Sequence, residues 1–343
     1  MAIYFSIIQK TGLLAVTLAL MTLTRPEGLL FFLVILVFFV PSKNRMRSSM
    51  IYVLFISPWY LFSWIHLGSL IPDTFFIKTS QGPWAGFSFS NGIEVYVETY
   101  PLETGLSLAF APLTLFLINC HPGPVRVLAL IATLALAHYL GYAFLMVPPY
   151  HWYYVAEITA IILLGSIAFG SQYARCAAQT RRKKLLRCIF ALWLGIPPAG
   201  MSFLLARGGF CIEEAPIHTN WATHERYREI GLWLREHTGE KASLLRGEIG
   251  TLAYYSRCYL LDAFSDRRWL TDFVARKTRE PSPLRHLYKV NFFFFSPVAE
   301  FPPTAFRVTG HTNRKASEAD VIAHWETSTR WIPRGLITVG HDF

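Results

Sequence analysis

The stretch "IYVLFISPWYLFSWIHLGSLIPDTFFIKTSQGPWAG", Ile51 to Gly86, decides what kind of protein this is. From Ile51 to Ile71 it holds no Asp, Glu, Lys or Arg. About 20 such residues in a helix cross the hydrocarbon of a bilayer. Pro58 lies inside the run, which a membrane helix tolerates where neighbours re-satisfy the freed backbone groups. The character then changes abruptly. Asp73 and Lys78 bracket Phe75 and Phe76, and Gly82, Pro83 and Trp84 follow. A spanning helix therefore runs into a loop that carries chemistry.

The rest of the chain repeats the first half of that pattern. Of 343 residues, 53% are hydrophobic and 16% charged, with a mean hydropathy of +0.34. A soluble chain of this length needs more charge to cover its surface. Apolar runs fall at 3–23, 28–40, 51–71, 105–119, 127–147, 152–170 and 188–206, giving seven crossings with the second and fourth short. After Arg207 segments such as "NWATHERYREIGLWLREHTGEK" turn polar and amphipathic, and no later run is long enough to span. The expected architecture is an α-helical polytopic membrane domain, residues 1–206, followed by a small extracytoplasmic α/β domain, residues 207–343. Internal repeats and low-complexity tracts are absent, and the N-terminus lacks the basic start and cleavage site of a signal peptide.

Lysine and arginine orient the chain, because short cytoplasmic loops carry the excess. "PSKNRMRSS" contributes Lys43, Arg45 and Arg47, "GPVRV" Arg126, and "YARCAAQTRRKKLLR" six more cations. With seven crossings the loops at 41–50, 120–126 and 171–187 share the cytoplasmic face, and 71–104 and the tail lie outside. The net charge of +10 then reflects topology and anionic lipid headgroups, so nucleic acid is not needed as a partner. Five cysteines have no metal-site spacing. Cys211 and Cys258 fall in the tail, where a disulfide and two unpaired thiols are equally compatible with the sequence.

Four outward features carry candidate chemistry. In "LTRPEGLL", Arg25 and Glu27 flank Pro26 between two apolar helices. That is either a plain turn with an internal ion pair or an arginine fork offered to a phosphate. The loop from Gly68 to Glu103 is long enough to suggest function. It holds Asp73, Lys78, Glu94, Glu98 and Glu103 among Trp84, Phe87, Phe89, Tyr96 and Tyr100. The rings alone read best as an interfacial belt; rings with carboxylates suit a sugar. In "MVPPYHWYYVAE", His151, Tyr154 and Glu157 enter a membrane helix, and a carboxylate within an apolar run is costly unless paired or wet. His151 reads equally as a helix cap.

In the tail, "ASLLRGEIGTLAYYS" predicts strand, glycine turn and short helix, "CYLLDAFSD" a strand, and "VNFFFFSP" a strand buried on both faces. Gly247 and Gly250 do not make a dinucleotide loop, and no cofactor or metal is expected.

The order of these features resembles the GT-C integral-membrane glycosyltransferases, which use polyprenyl-phosphate sugars as donors. "LTRPEGLLFFLVILVFF" looks like their "LTRPEG-apolar" helix pair. "HLGSLIPDTFFIKTSQG" is similar to the "YGxxLPNTFYAKxG" loop of a bacterial, arabinofuranosyltransferase-like subgroup. Pro72, Thr74, Phe75 and Lys78 match that loop, while Asp73 stands for the usual Asn and Ile77 for the usual Ala. "RYREIGLWLREHTGEKASLLRGEIGTLAYYSRCYLLDAFSD" resembles the start of that subgroup's extracytoplasmic tail.

The resemblance implies transfer of a sugar from a polyprenyl-phosphate donor to a cell-envelope glycan, lipid or protein acceptor, at the outer face of a bacterial plasma membrane. It implies Arg25, Glu27 and Lys78 at the lipid phosphate, His151 and Tyr154 at the substrate, and Asp73 or Glu157 at the acceptor hydroxyl. In the family the catalytic acid follows the first membrane helix, and several helices precede the "TRPEG" pair. This chain begins almost at that pair, so it is expected to lack the N-terminal half of the membrane domain and that acidic loop. A membrane scaffold that keeps lipid binding is the alternative.

Overall fold

The computed structural model describes residues 4–5, 8–84, 86–114, 125–175, 180–208, 221–238, 242–246, 250–262, 267–297, 304–312, 321–329 and 332–341. The chain forms two compact units: Met1–Leu70 with Lys78–Leu205, and Ile71–Ile77 with Ala206–Phe343. The loop that opened the sequence analysis is thus divided. Asp73, Phe75 and Phe76 belong to the second unit and Lys78 to the first.

The first unit is helical. α1 (Thr11–Thr24) and α2 (Gly28–Phe38) form a hairpin, and α3 (Ser42–Phe62) continues through a π-helical turn, Ser63–Leu67, ended by Gly68 at φ +85°. α4 (Asp73–Ser80), which the division of the chain cuts between Ile77 and Lys78, α5 (Ile93–Thr99) and α6 (Pro101–Ser107) are short. α7 (Val125–Leu145), α8 (Val155–Arg175) and α9 (Thr180–Gly208) are long, and a 3₁₀ turn, His151–Tyr154, leads into α8.

Among the described residues, four helical segments are long and apolar enough to cross a membrane: Ser42–Leu67, Val125–Leu145, His151–Ser171 and Arg187–Leu204. α1 and α2, with 14 and 11 residues, rise only about 21 and 17 Å at 1.5 Å per residue. Each is shorter than the roughly 30 Å hydrocarbon core.

Two expectations about this unit change. The run at 105–119 is not one helix in its described part: α6 stops at Ser107, and a separate 3₁₀ turn occupies 111–114. Pro112 removes the backbone donor that would continue it; residues 115–119 lie outside the described residues. The basic segment 41–50 is not a loop either. Pro41 precedes the first helical residue, and Lys43, Arg45 and Arg47 occupy the first turns of α3. Arg45 reaches back to cap α2, with Nη2 donating to Val37 O at 2.6 Å and Nε to Val40 O at 3.2 Å. Arg126, at the start of α7, donates to Phe39 O at 3.2 Å. Cations thus meet the carbonyl end of α2, where the helix dipole favours them. Beneath them Leu14, Leu18, Phe32, Ile35 and Tyr52 pack as a core, with Phe32 stacked on Tyr52 at 3.6 Å.

The second unit is α/β. β1 (Ala242–Arg246), β2 (Leu260–Asp262), β3 (Thr304–Thr312), β4 (Val321–Thr327) and β5 (Gly335–His341) form a sheet of order β2-β1-β3-β5-β4. β1 pairs in parallel with β2 and β3, whereas β5 is antiparallel to β3 and β4. α10 (His224–Thr238) lays Tyr227, Ile230 and Leu234 on Val308, Ile337 and Val339. α11 (Gly250–Ser256) lies between β1 and β2, the strand–helix–strand order legible in the sequence; the expected glycine turn at 247–249 lies outside the described residues.

"VNFFFFSP" departs from expectation. Val290 and Asn291 end a helix, α13 (Arg285–Asn291), after α12 (Arg267–Arg279), and Phe292–Phe294 form a turn. A short apolar run has no period to separate strand from helix, and packing decides: Phe292 is buried with Leu270 and Phe273, while Phe293 is 72% exposed. Cys258 is a free thiol; Cys211 lies outside the described residues.

Candidate anion site at the head of the α1–α2 hairpin

Pro26 builds the first part of the site. A residue before proline is pushed out of the helical region, so α1 ends at Thr24 and Arg25 is extended, at φ −146° and ψ 124°. The chain reverses at once, with Gly28 N donating to Arg25 O at 2.9 Å. Gly28 is required there: a Cβ would lie 2.5 Å from the Thr22 backbone nitrogen. Arg25 Nη2 then meets Glu27 Oε1 at 2.8 Å, and Nε approaches Oε2 at 3.4 Å. Half the Arg25 side chain stays exposed, against 17% for Glu27. Tyr142, near the end of α7, donates its hydroxyl to Glu27 Oε1. Burial pushes Glu27 up, but the hydrogen bonds from Arg25 and Tyr142 outweigh it and hold the carboxyl below its usual value.

The aromatic segment after α7 supplies the second part. Met146, at φ +47°, breaks the helix, and Val147 to Tyr150 run without regular structure into the 3₁₀ turn. Lys78 Nζ lies over three rings there, Tyr150 at 5.2 Å, Tyr153 at 5.3 Å and Trp152 at 5.7 Å. Burial and then the Arg25 guanidinium push the Lys78 pKa down, while Glu27 pulls it up. Among the described residues Lys78 makes no carboxylate ion pair. Its positive charge is held by ring faces, an attraction worth about 0.5–2 kcal/mol each, and stays open to an external anion.

The loop after Lys78 is tied onto this segment. Tyr150 donates to Gln81 Oε1 at 2.9 Å, Trp84 packs edge-on to Tyr150 at 4.6 Å, and Phe89 N donates to Val147 O at 2.9 Å. Tyr96 donates to Pro149 O, and burial pushes its pKa up. Phe89 is fully buried and Tyr100 is 5% exposed. Of the rings read as an interfacial belt, Phe89, Trp84 and Tyr96 instead join an internal cluster with Val147, Tyr150, Tyr153 and Tyr154 at the α7–α8 junction.

Deeper, His138 of α7 and Glu157 of α8 pair at 2.7 Å between Nδ1 and Oε1. The His138 ring stacks on Tyr142 at 4.5 Å and Phe31 at 5.9 Å. Glu157 Oε2 is buried without a hydrogen-bond partner. An unmet buried acceptor is costly, which makes this oxygen a natural receiver of a ligand hydroxyl or a proton.

Of the residues singled out by sequence, Arg25, Glu27 and Lys78 come together, and Glu157 joins them through His138 and Tyr142. Asp73 lies in the second unit. Tyr154 is committed elsewhere: it stacks on Phe89 at 4.5 Å and donates to Phe89 O at 2.6 Å. His151 lies edge-on to Trp152 at 4.6 Å. Glu94 and Glu98 are exposed. His138 and Tyr142 were missed by sequence reasoning; their signal was a histidine and a tyrosine one helical turn apart in an apolar run. Phe76 is 5% exposed and packs on Phe273, Tyr288 and Phe292.

Among the described residues no group of three or more His, Cys, Asp or Glu is placed to hold a metal ion. No family model, curated protein or solved structure matches the chain.

Proposed function

We propose that the chain is a membrane protein that binds the phosphate of a polyprenyl-phosphate lipid at Arg25 and Lys78, and acts as a GT-C-type glycosyltransferase or as part of one. One observation carries the reading: the Lys78 ammonium lies over the rings of Tyr150, Trp152 and Tyr153 and, among the described residues, pairs with no carboxylate. A guanidinium fork and a desolvated ammonium stabilise negative charge that grows on a departing phosphate. The rings suit the apolar faces of a sugar. Glu157, with Oε2 awaiting a donor, is the carboxylate of the first unit suited to receive an acceptor hydroxyl, held in orientation by His138.

The proposed topology places the far end of α2 at the cytoplasmic face of a bacterial plasma membrane and the second unit outside. The guanidinium groups of Arg45 and Arg126 at the far end of α2 support it, because the positive-inside rule makes that end cytoplasmic. The Arg25 turn then faces outward.

Photo-crosslinking tests the reading. A polyprenyl phosphate bearing a diazirine near its headgroup, added to the purified full chain in nanodiscs, is expected to label peptides containing Arg25, Lys78 and Tyr150–Tyr153. Polyprenyl phosphate should compete and neutral polyprenol should not. Labelling elsewhere, or equal competition by the neutral alcohol, would overturn it.

A further inference from the structure

We propose that Tyr142 is the positioning residue of the cation site: its hydroxyl holds Arg25 through Glu27, and its ring backs Tyr153 beneath Lys78. The inference rests on the phosphate reading of Arg25 and Lys78 and adds the residue that sets their geometry.

The hydroxyl acts on the carboxylate. Glu27 Oε1 receives two donors, Arg25 Nη2 at 2.8 Å and the Tyr142 hydroxyl. Among the described residues, Oε2 meets Arg25 Nε alone, at 3.4 Å. A carboxylate with both oxygens open takes a guanidinium in two parallel hydrogen bonds. With Tyr142 drawing on Oε1, the pair closes through one short bond and one long one. The N–H donors on Arg25 Nη1 then meet no acceptor among the described residues, and half of the side chain stays exposed. Those donors are left for an anion. A hydroxyl on Glu27 also offsets part of the negative charge that would repel that anion.

The ring makes the hydroxyl a fixed point. It stacks on His138 at 4.5 Å, meets Tyr153 at 4.5 Å and lies 5.3 Å from Phe89. His138 is 4% exposed and Phe89 0%, and His138 is itself held by Glu157 at 2.7 Å. Side chains packed this closely transmit position, because they have no space to yield into. Tyr153 is one of the rings under Lys78 Nζ, at 5.3 Å. One residue of α7 thus joins the turn after α1 to the rings that carry the ammonium, all within the first unit.

Lipid titration of the full chain in zwitterionic nanodiscs tests this with Tyr142→Phe, which keeps the ring and deletes the hydroxyl. Polyprenyl phosphate should bind about fivefold more weakly, the scale of one net hydrogen bond, with association of neutral polyprenol unchanged. In a Glu27→Gln background the same substitution should cost much less, because the charge that the hydroxyl restrains is gone. A role confined to packing gives an equal loss in both backgrounds, and that result would overturn the proposal. Unchanged phosphate affinity in Tyr142→Phe would overturn it as well. If the native chain binds polyprenyl phosphate no better than polyprenol, the phosphate reading itself fails and takes this inference with it.

Discussion

If Arg25 and Lys78 hold one phosphate, their substitutions must interact. Removing a charge-assisted hydrogen bond costs about 1.5–3 kcal/mol. Arg25 is half exposed and already engaged by Glu27, so the low end applies after solvent screening. Arg25→Ala should weaken polyprenyl-phosphate binding by about 1.5 kcal/mol, roughly tenfold. Lys78→Ala should lose a similar amount, because it removes the ammonium that would meet the anion. With one cation left, the phosphate can settle toward it; with neither, it has no counter-charge. The double variant should therefore lose more than the sum, with a coupling on the order of 1 kcal/mol.

Glu27→Gln supplies the opposite sign. The amide oxygen still accepts from Tyr142 and Arg25, but the negative charge beside the anion is gone. Its removal is worth on the order of 1 kcal/mol at high effective dielectric, a gain of about fivefold in affinity. Titration of lipid into the purified chain, followed by microscale thermophoresis with neutral polyprenol as control, measures all four variants. Strictly additive losses that appear equally with the neutral alcohol would refute a shared phosphate. A loss of affinity in Glu27→Gln would refute the charge argument.

Three further outcomes follow from packing and titration. His138→Leu should destabilise the first unit by about 3–5 kcal/mol, since it strands a buried carboxylate, and His138→Leu with Glu157→Leu should recover most of that loss in thermal unfolding in detergent. Gly92→Ala places a Cβ 2.0 Å from Pro149 Cβ and 2.8 Å from Ser88 O, so an overpacking cost of about 1–3 kcal/mol is expected in the same assay. Glu27 has a folded pKa below its ordinary 4.5; its stabilisation is present above that value and lost as pH falls through the lower folded one. The difference in unfolding midpoint between the native chain and Glu27→Gln should shrink across that acid window and be flat above it.

Much of the layout was legible from residues alone. Long apolar runs announce membrane helices because length and hydropathy are local properties, and Val125–Leu145, His151–Ser171 and Arg187–Leu204 follow the expected runs closely. Pro26 marks the hairpin turn for an equally local reason, since it bars the helix. The strand Ala242–Arg246 and the helix Gly250–Ser256 belong to the same class. What lay beyond the sequence depends on partners distant along the chain. "VNFFFFSP" has no usable period, and only burial of Phe292 against α12 makes it the end of a helix. His138 is an unremarkable residue until Glu157, 19 positions on, meets it across two helices. Lys78 reads only as a cation in a loop until the chain brings three rings beneath it. Local backbone chemistry chooses helices and turns, whereas the environment of a buried charge is set by which side chains the tertiary fold places around it.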